Sequence, residues 1–465
     1  MKYKSVSVYT VLIYLSKFLF LLIIPLIQQI LLSITGIREI IYTLWPSIII
    51  VGIIFFISFI KYKSVKYSIS KEILFVKKGF LIKKRFIIPI KNINAIDRRC
   101  TILSSIFNSE RVSFYLNTKC EKINALNLRK GELKDIFYED TVKKVIKSKP
   151  IEILFMAISW SNPAISLLIA VPYVNKLGKI VGEETTKRLY STMNTTLRLI
   201  KIGIPPLIAS ISYLLLGTFF IAVIIHFFKY ANFTTIITTN NIVVSNGLIS
   251  ENHKTIRKDR INALVIKQSL FMIVLKVYSI YAGLVGAPKT KGEYNLLFAS
   301  LKKRDVKNVV NELYGNNSDE LFCVKPHKKR IINFLLFPIV SFLNLIFSVI
   351  IFLQDKWYDK IIIFSLFFVT IFILWWIMIR CFAYKYAGVS VSKGILNING
   401  FKWLSLYYGV IPVKEIQSIC IERNPFFRWS NLCKFKVKTY SEKDNKFICK
   451  YLDYSELKKL LNLIN

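Results

Sequence analysis

Two periodicities divide the chain. Long apolar runs cover Val8 to Ser33, Ile41 to Ile60, Ile204 to Phe228, Ile331 to Leu353 and Ile361 to Tyr384. A bilayer core about 30 Å thick is crossed by roughly 20 apolar residues in a helix, so each run predicts a spanning helix. A weaker sixth run, Ile153 to Val174, is interrupted by Ser-Trp-Ser-Asn-Pro. Between the runs the pattern changes to alternation of apolar and polar residues, as in SISKEILFVKKGFLIKKRFIIPI, TTIITTNNIVVSNGLISENHKTI and VSVSKGILNINGFKWLSLYYGVI. Period-two alternation broken by a glycine predicts a β-hairpin, because a tight turn often needs the positive φ that glycine adopts without strain. Gly79, Gly247 and Gly400 are the expected turn residues.

Aligning those glycines exposes a repeat. Ile88 falls on Ile256, Ile93 on Ile261 and Asn94 on Asn262; the third copy needs two extra residues after its glycine before Ile416 and Ile419 join the register. The phrase Ile93-Asn94-Ala95 returns as Ile261-Asn262-Ala263 and as Ile416-Gln417-Ser418. Its aliphatic positions are placed to face a core. A further alternating strand follows in each copy (RVSFYLN, KVYSIYAG, KFKVKTYS), then a helix-like run: LKDIFYEDTVKKVIKS, KKRDVKNVVNELY and SELKKLLNLI. The expected order is a helix pair over 8–60, a domain over 61–150, a second helix pair with its connection over 151–229, a domain over 230–328, a third pair over 329–384 and a domain over 385–465.

Each domain resembles the bacterial pleckstrin-homology-like (PH-like) domain, type 2, of YdbS/YdbT-like membrane proteins. The resemblance lies in the hairpin glycine, the Ile-x-x-Ile phrase, the Leu or Phe after it and the late alternating strand. Three copies fit the larger, YdbT-like members. The resemblance implies an α+β membrane protein, in which transmembrane helix pairs alternate with three PH-like split β-barrels, each closed by a C-terminal helix. It also implies no enzyme activity, and a setting in envelope stress or antimicrobial-peptide tolerance. The first copy departs from the family with Cys100-Thr-Ile-Leu where a Gln-Ser or Asn-Pro turn is usual, and the second replaces the usual proline with Arg257.

Composition sharpens this. Of 465 residues, 54% are hydrophobic, and 66 Lys and Arg against 27 Asp and Glu give a net charge of +39. A mean hydropathy of +0.46 selects the membrane over nucleic acid as the anionic partner. The basic residues crowd the domain ends of the apolar runs, among them Lys2, Lys4, Lys61, Lys63, Lys66, Lys325, Lys328, Lys329, Arg330, Arg380 and Lys385. The positive-inside rule therefore predicts a multi-pass protein of the bacterial cell membrane with both termini and all three domains in the cytoplasm. Parity then requires Ile153 to Val174 to cross; the basic connection 175–202 argues instead for an interfacial helix there. The first run is too long for a cleaved signal peptide and reads as an anchor.

Candidate chemistry is sparse. Seven cysteines lack Cys-x-x-Cys spacing and read as reduced thiols, and three scattered histidines form no metal or nucleophile motif. No catalytic, cofactor-binding or metal site is expected. The apolar runs carry no carboxylates, which counts against coupled transport. One cluster stands out: Lys77, Lys78, Lys83, Lys84 and Arg85 on a single hairpin, with Arg98 and Arg99 nearby in sequence. Such a cluster can hold anionic lipid headgroups at about 1 kcal/mol per charge; the plain alternative is a solvated hairpin. Open barrel edges can accept a strand from a sister domain or a partner. The expected function is a protein and lipid interaction scaffold, with a homo-oligomer or a smaller PH-like membrane protein as partner. A lipid-handling or peptide-exporting transporter component is the alternative.

Overall fold

The computed structural model describes residues 3–16, 49, 52–70, 72–80, 82–116, 126–133, 140–161, 206–269, 272–273, 275–284, 295–314, 323–326, 331–354, 360–402, 405–423, 425, 427, 431–439 and 446–462. The first copy contributes β1 (Lys4–Ser5), β2 (Lys66–Ile69), β3 (Ile73–Lys78), β4 (Lys84–Pro89), β5 (Ile93–Thr101), α1 (Ile102–Ile106), β6 (Ser109–Leu116) and β7 (Leu126–Arg129). The second contributes β8 (Val142–Lys147), α2 (Pro150–Trp160), α3 (Pro206–Tyr230), β9 (Thr234–Thr238), β10 (Asn241–Asn246), β11 (Ser250–Arg257), β12 (Ile261–Ser269), β13 (Val277–Leu284), β14 (Asn295–Lys302) and α4 (Lys303–Tyr314). The third has β15 (Cys323–Val324), α5 (Ile331–Gln354), α6 (Lys360–Tyr386), β16 (Gly388–Ser392), β17 (Ile395–Lys402), β18 (Ser405–Pro412), β19 (Ile416–Glu422), β20 (Leu432–Thr439), β21 (Lys446–Asp453) and α7 (Tyr454–Leu461).

Among the described residues the strands form four sheets, with orders β1-β2-β3-β4, β7-β6-β5-β11-β10-β9-β8, β14-β13-β12-β18-β17-β16-β15 and β19-β20-β21. The chain folds as two compact units, one of Met1–Ile146 with Thr234–Asp259, the other of Lys147–Phe233 with Arg260–Asn465. The second repeat, expected as a separate domain over 230–328, is therefore cut at its middle. Its first four strands, β8 to β11, belong to the first unit's sheet and the rest to the second unit.

In the first unit, Tyr67, Leu74, Val76, Ile88, Ile93, Ile96, Val112, Phe114 and Leu128 close on one another as a core. These are the inward positions of alternating strands, as period-two patterning requires. In the second unit Val389, Leu396, Ile398, Ile411, Phe435 and Val437 do the same, roofed by Leu457 and Leu460 of α7.

The turn glycines divide. Gly79 (φ +113°) and Gly247 (φ +108°) stand in the β3–β4 and β10–β11 turns, where an added Cβ would run into the backbone carbonyl of Ile82 or Ser250. Gly400 is not a turn residue. It lies inside β17, opposite Tyr407 of β18, whose ring covers it and whose hydroxyl donates to the Ile448 carbonyl at 2.6 Å. Strands β17 and β18 run on to the Lys402–Ser405 pair, so β17 continues two residues past the glycine before the chain reverses. That accounts for the two extra residues in the sequence register.

The run 133–148, expected as the first closing helix, ends instead in strand β8. Val142 and Val145 are β-branched and prefer a pleated surface, and β9 supplies the neighbouring strand. Among the described residues one helical stretch, Val369–Tyr386 of α6, is long and apolar enough to cross a membrane, and α3 and α5 carry the shorter apolar stretches Leu216–Tyr230 and Phe334–Phe347. Phe220 and Ile221 of α3, Phe337 and Phe347 of α5 and Phe372 of α6 are all exposed, as on helices meant for an apolar surrounding. Most of the expected first helix pair, 8–60, lies outside the described residues; helical turns are seen over 9–16 and 52–63.

Candidate functional site

The repeated Ile-Asn-Ala phrase opens the strand by which one repeat joins the next. In the first unit β5 pairs antiparallel with β11, from Ser250 opposite Thr101 to Ile256 opposite Ala95. In the second unit β12 pairs with β18, from Leu264 opposite Val410 to Ser269 opposite Ser405. Each time the fifth strand of one repeat takes the fourth strand of the following repeat. The phrase lies at the start of that strand, where Ile93 pairs with Leu116 of β6 and Ile261 with Leu284 of β13, and Asn94, Ala95, Asn262 and Ala263 are all buried, as are Ile93 and Ile261. In the third repeat Gln417 and Ser418 are exposed and Ile416 is half-buried, and β19 pairs only with β20 among the described strands.

The first junction holds a charged cluster. Arg99 Nη2 bonds Asp97 Oδ2 at 3.0 Å, and the Tyr115 hydroxyl donates to the same oxygen at 3.3 Å. Burial, reinforced by the Asp97 charge, pushes the Tyr115 hydroxyl well above its ordinary value. Arg98 sits opposite His253 of β11. Burial lowers the His253 pKa and the Arg98 charge lowers it further, with Glu251 opposing. Neutral His253 meets the Ser245 hydroxyl through Nδ1 at 3.1 Å. Glu110 on β6 is buried, and desolvation raises its pKa against the pull of Arg98. Arg98 and Arg99 thus serve the junction on β5, a different sheet from the basic hairpin.

The hairpin itself brings four of its five expected cations into cross-strand pairs. Lys77 lies opposite Arg85 and Lys78 opposite Lys84 on β3 and β4, with Lys83 just before β4. Like charges directly opposite are destabilising unless an anion or solvent screens them. Lys78, Lys83, Lys84 and Arg85 are exposed, while Lys77 Nζ rests 4.1 Å from the Tyr3 ring centroid. Sequence reading missed the tip between them: Phe80 is 62% and Ile82 77% exposed, an apolar point flanked by cations. The signal was present in FVKKGFLIKKRF, where Phe80-Leu-Ile breaks the alternation.

In the second unit, α2 is fastened to the sheet. The Ser300 hydroxyl donates to Glu152 at 2.7 Å, and the Ser159 and Ser269 hydroxyls meet at 2.7 Å. Trp160 packs edge-on to Tyr230, with ring centroids 5.0 Å apart, and His226 stacks on Tyr230. The described part of the sixth apolar run, 153–161, is therefore docked on β-strands; 162–174 lies outside the described residues. Phe427 of the aromatic segment 424–431 packs on Tyr451, centroids 5.5 Å apart, and Phe426 and Trp429 lie outside the described residues. Among the described residues no group of His, Cys, Asp and Glu is placed to hold a metal ion.

Antiparallel sheets recurring along the chain, with long apolar helices between them, are consistent with a membrane protein built of PH-like domains. The bacterial PH domain family matches at residues 12–137, 166–316 and 334–465, and the chain belongs to that family. It is also similar to the UPF0699 transmembrane protein YdbT of Bacillus subtilis (strain 168), 21% identical over 246 residues. That match covers 49% of this chain and 48% of the relative, about half the length of each.

Proposed function

We propose that the protein is a multi-pass scaffold that displays three PH-like domains together on the cytoplasmic face of the bacterial cell membrane. One observation carries this reading: the strands that bracket each apolar stretch lie side by side. Lys4 of β1 pairs with Tyr67 of β2, β8 neighbours β9, and Cys323 of β15 pairs with Ser390 of β16. A sheet cannot continue through a bilayer, where open edges would be unsatisfied. Both ends of each apolar stretch therefore emerge on one side, which requires an even number of crossings between them. The three residues Lys258–Arg260 between β11 and β12 are far too few to cross a bilayer. The excess of Lys and Arg beside the apolar runs supports the cytoplasmic assignment.

The scaffold presents two surfaces, sheet edges for strand addition and the basic hairpin for anionic headgroups. The exposed apolar tip residues Phe80 and Ile82 favour lipid contact over a merely solvated hairpin, because the flanking cations would seat them at an anionic interface. Envelope stress or antimicrobial-peptide tolerance is the physiological setting in this reading, suggested by resemblance alone.

The test is labelling by an impermeant thiol reagent in intact cells and in inverted vesicles, with single cysteines at Ile82, Ile249 and Lys393. All three should label only in inverted vesicles. Labelling of Ile249→Cys from outside would overturn the one-sided arrangement. Survival of a deletion strain against membrane-active peptides, with a re-expressed copy, tests the setting.

A further inference from the structure

Within the chain, fifth strand meets fourth strand at two junctions, and three repeats leave one of each over. The fourth strand of the first repeat, β4, pairs only with β3 among the described strands, and the fifth strand of the third repeat, β19, pairs only with β20. We infer that β19 of one copy adds to β4 of a second copy of this chain, extending the row of repeats from one molecule to the next.

The register supports it. In each repeat a 3-10 turn joins the two strand types: Ile90–Asn92, Lys258–Arg260 and Val413–Glu415. Counted from those turns, both junctions have the same alignment. Ile96 faces Thr255 at one and Leu264 faces Val410 at the other. The equivalent residues at the unfilled positions are Ile419 and Ile87. Likewise Arg99 faces Asn252 and Lys267 faces Tyr407, and the residues at the equivalent places are Lys84 and Glu422, the latter already paired with Lys434 at 3.1 Å and with Lys436 of β20.

Exposure points the same way. Thr255 and Val410 are each 7% exposed, whereas Ile87 at the equivalent place is 63% exposed. On the opposite strand Asn94 and Asn262 are buried, and Gln417 is exposed. A β-branched apolar side chain turned outward on an unpaired edge is a surface ready for strand addition. The contact is heterologous, so repetition gives a ring or an open row. Domains held on one membrane face, as in the reading above on which this inference rests, would keep such a row in the plane of the bilayer.

The experiment uses full-length protein in native membranes, with two differently tagged copies expressed together. One copy carries Lys84→Cys and the other Glu422→Cys; a displaced pair, Ile87→Cys with Glu422→Cys, lies three residues out of register, about 10 Å along the strand. A single chain with Arg99→Cys and Asn252→Cys reports the equivalent position within the first junction. Oxidation should link the two tags roughly tenfold more for the in-register pair than for the displaced one, since thiols that far apart cannot bridge. Co-purification of the two tags from detergent should fall when Ile87→Lys is present in both copies.

If the Arg99–Asn252 control links and the Lys84–Glu422 pair does not, the inference fails and the scaffold stands. If a chain carrying both Lys84→Cys and Glu422→Cys links only to itself, the second copy is the wrong occupant. If the control fails as well, the array of repeats falls with the inference.

Discussion

Gly409 lies directly opposite Val265 where the second and third repeats join, and the room left by its missing side chain is filled by the ring of Phe447. A Cβ at this position would come within 2.5 Å of Phe447 Cε1. Gly409→Ala in a strand would ordinarily stabilise by roughly 0.5–1 kcal/mol. Here it should destabilise by about 1–3 kcal/mol, because Phe447 is buried in the core and cannot swing aside. Thermal unfolding in detergent checks this, and Phe447→Leu should restore much of the loss. A raised melting temperature in the single variant would contradict the packing described.

The hairpin tip gives a second expectation. A Trp reporter at Phe80 in proteoliposomes should be quenched by brominated lipids when the bilayer is anionic. Replacing Lys83, Lys84 and Arg85 with Gln should reduce that quenching, most at low salt, because exposed charges are screened within about 10 Å at 0.1 M. Equal quenching in neutral and anionic bilayers would exclude headgroup attraction.

Acid should loosen the first junction. The folded pKa of His253 lies below its ordinary 6.5, so the unfolded chain binds the proton more readily. The stability this neutral side chain contributes is complete above about pH 6.5 and is lost as pH falls toward the folded value. Hydrogen exchange of β11 amides should therefore quicken relative to β6 amides from pH 7 to pH 5.5, and His253→Gln should flatten the trend. Glu110 acts oppositely in a lower window: its raised pKa imposes a penalty above the folded value that is relieved on approaching 4.5.

Thiol reactivity should separate the cysteines by burial. Cys433 is fully buried, and desolvation pushes its thiol up to about 11. Cys449 is buried beside it in the same core, while Cys420 on β19 is exposed. A small alkylating reagent at pH 8 should modify Cys420 within minutes and leave Cys433 and Cys449 until the protein is denatured, as peptide mapping would show.

Much of the fold was legible because local pattern fixes local structure. Strands β3, β6, β13 and β20 follow the alternation, and α5 and α6 follow the apolar runs. The Ile-Asn-Ala phrase was legible as a core element but not as a junction. Its partner strand lies more than a hundred residues away, and nothing local distinguishes an inward face that meets its own barrel from one that meets the next. Gly400 misled because a glycine under an aromatic cross-strand neighbour has the same local signature as a turn glycine. The strand β8 misled because VKKVIK has too few residues for period two and period 3.6 to separate. The basic hairpin was found by composition, whereas its apolar tip needed exposure to be seen.

The sharing of strands between repeats also sets an order of events during synthesis. The sheet of the first unit stays unfinished until residue 257 has left the ribosome, by which time α2 and α3 have already been made. Until then β5 waits with an open side, and contacts this distant in sequence are slow to close. The nascent chain must therefore be kept from pairing elsewhere through most of its own translation.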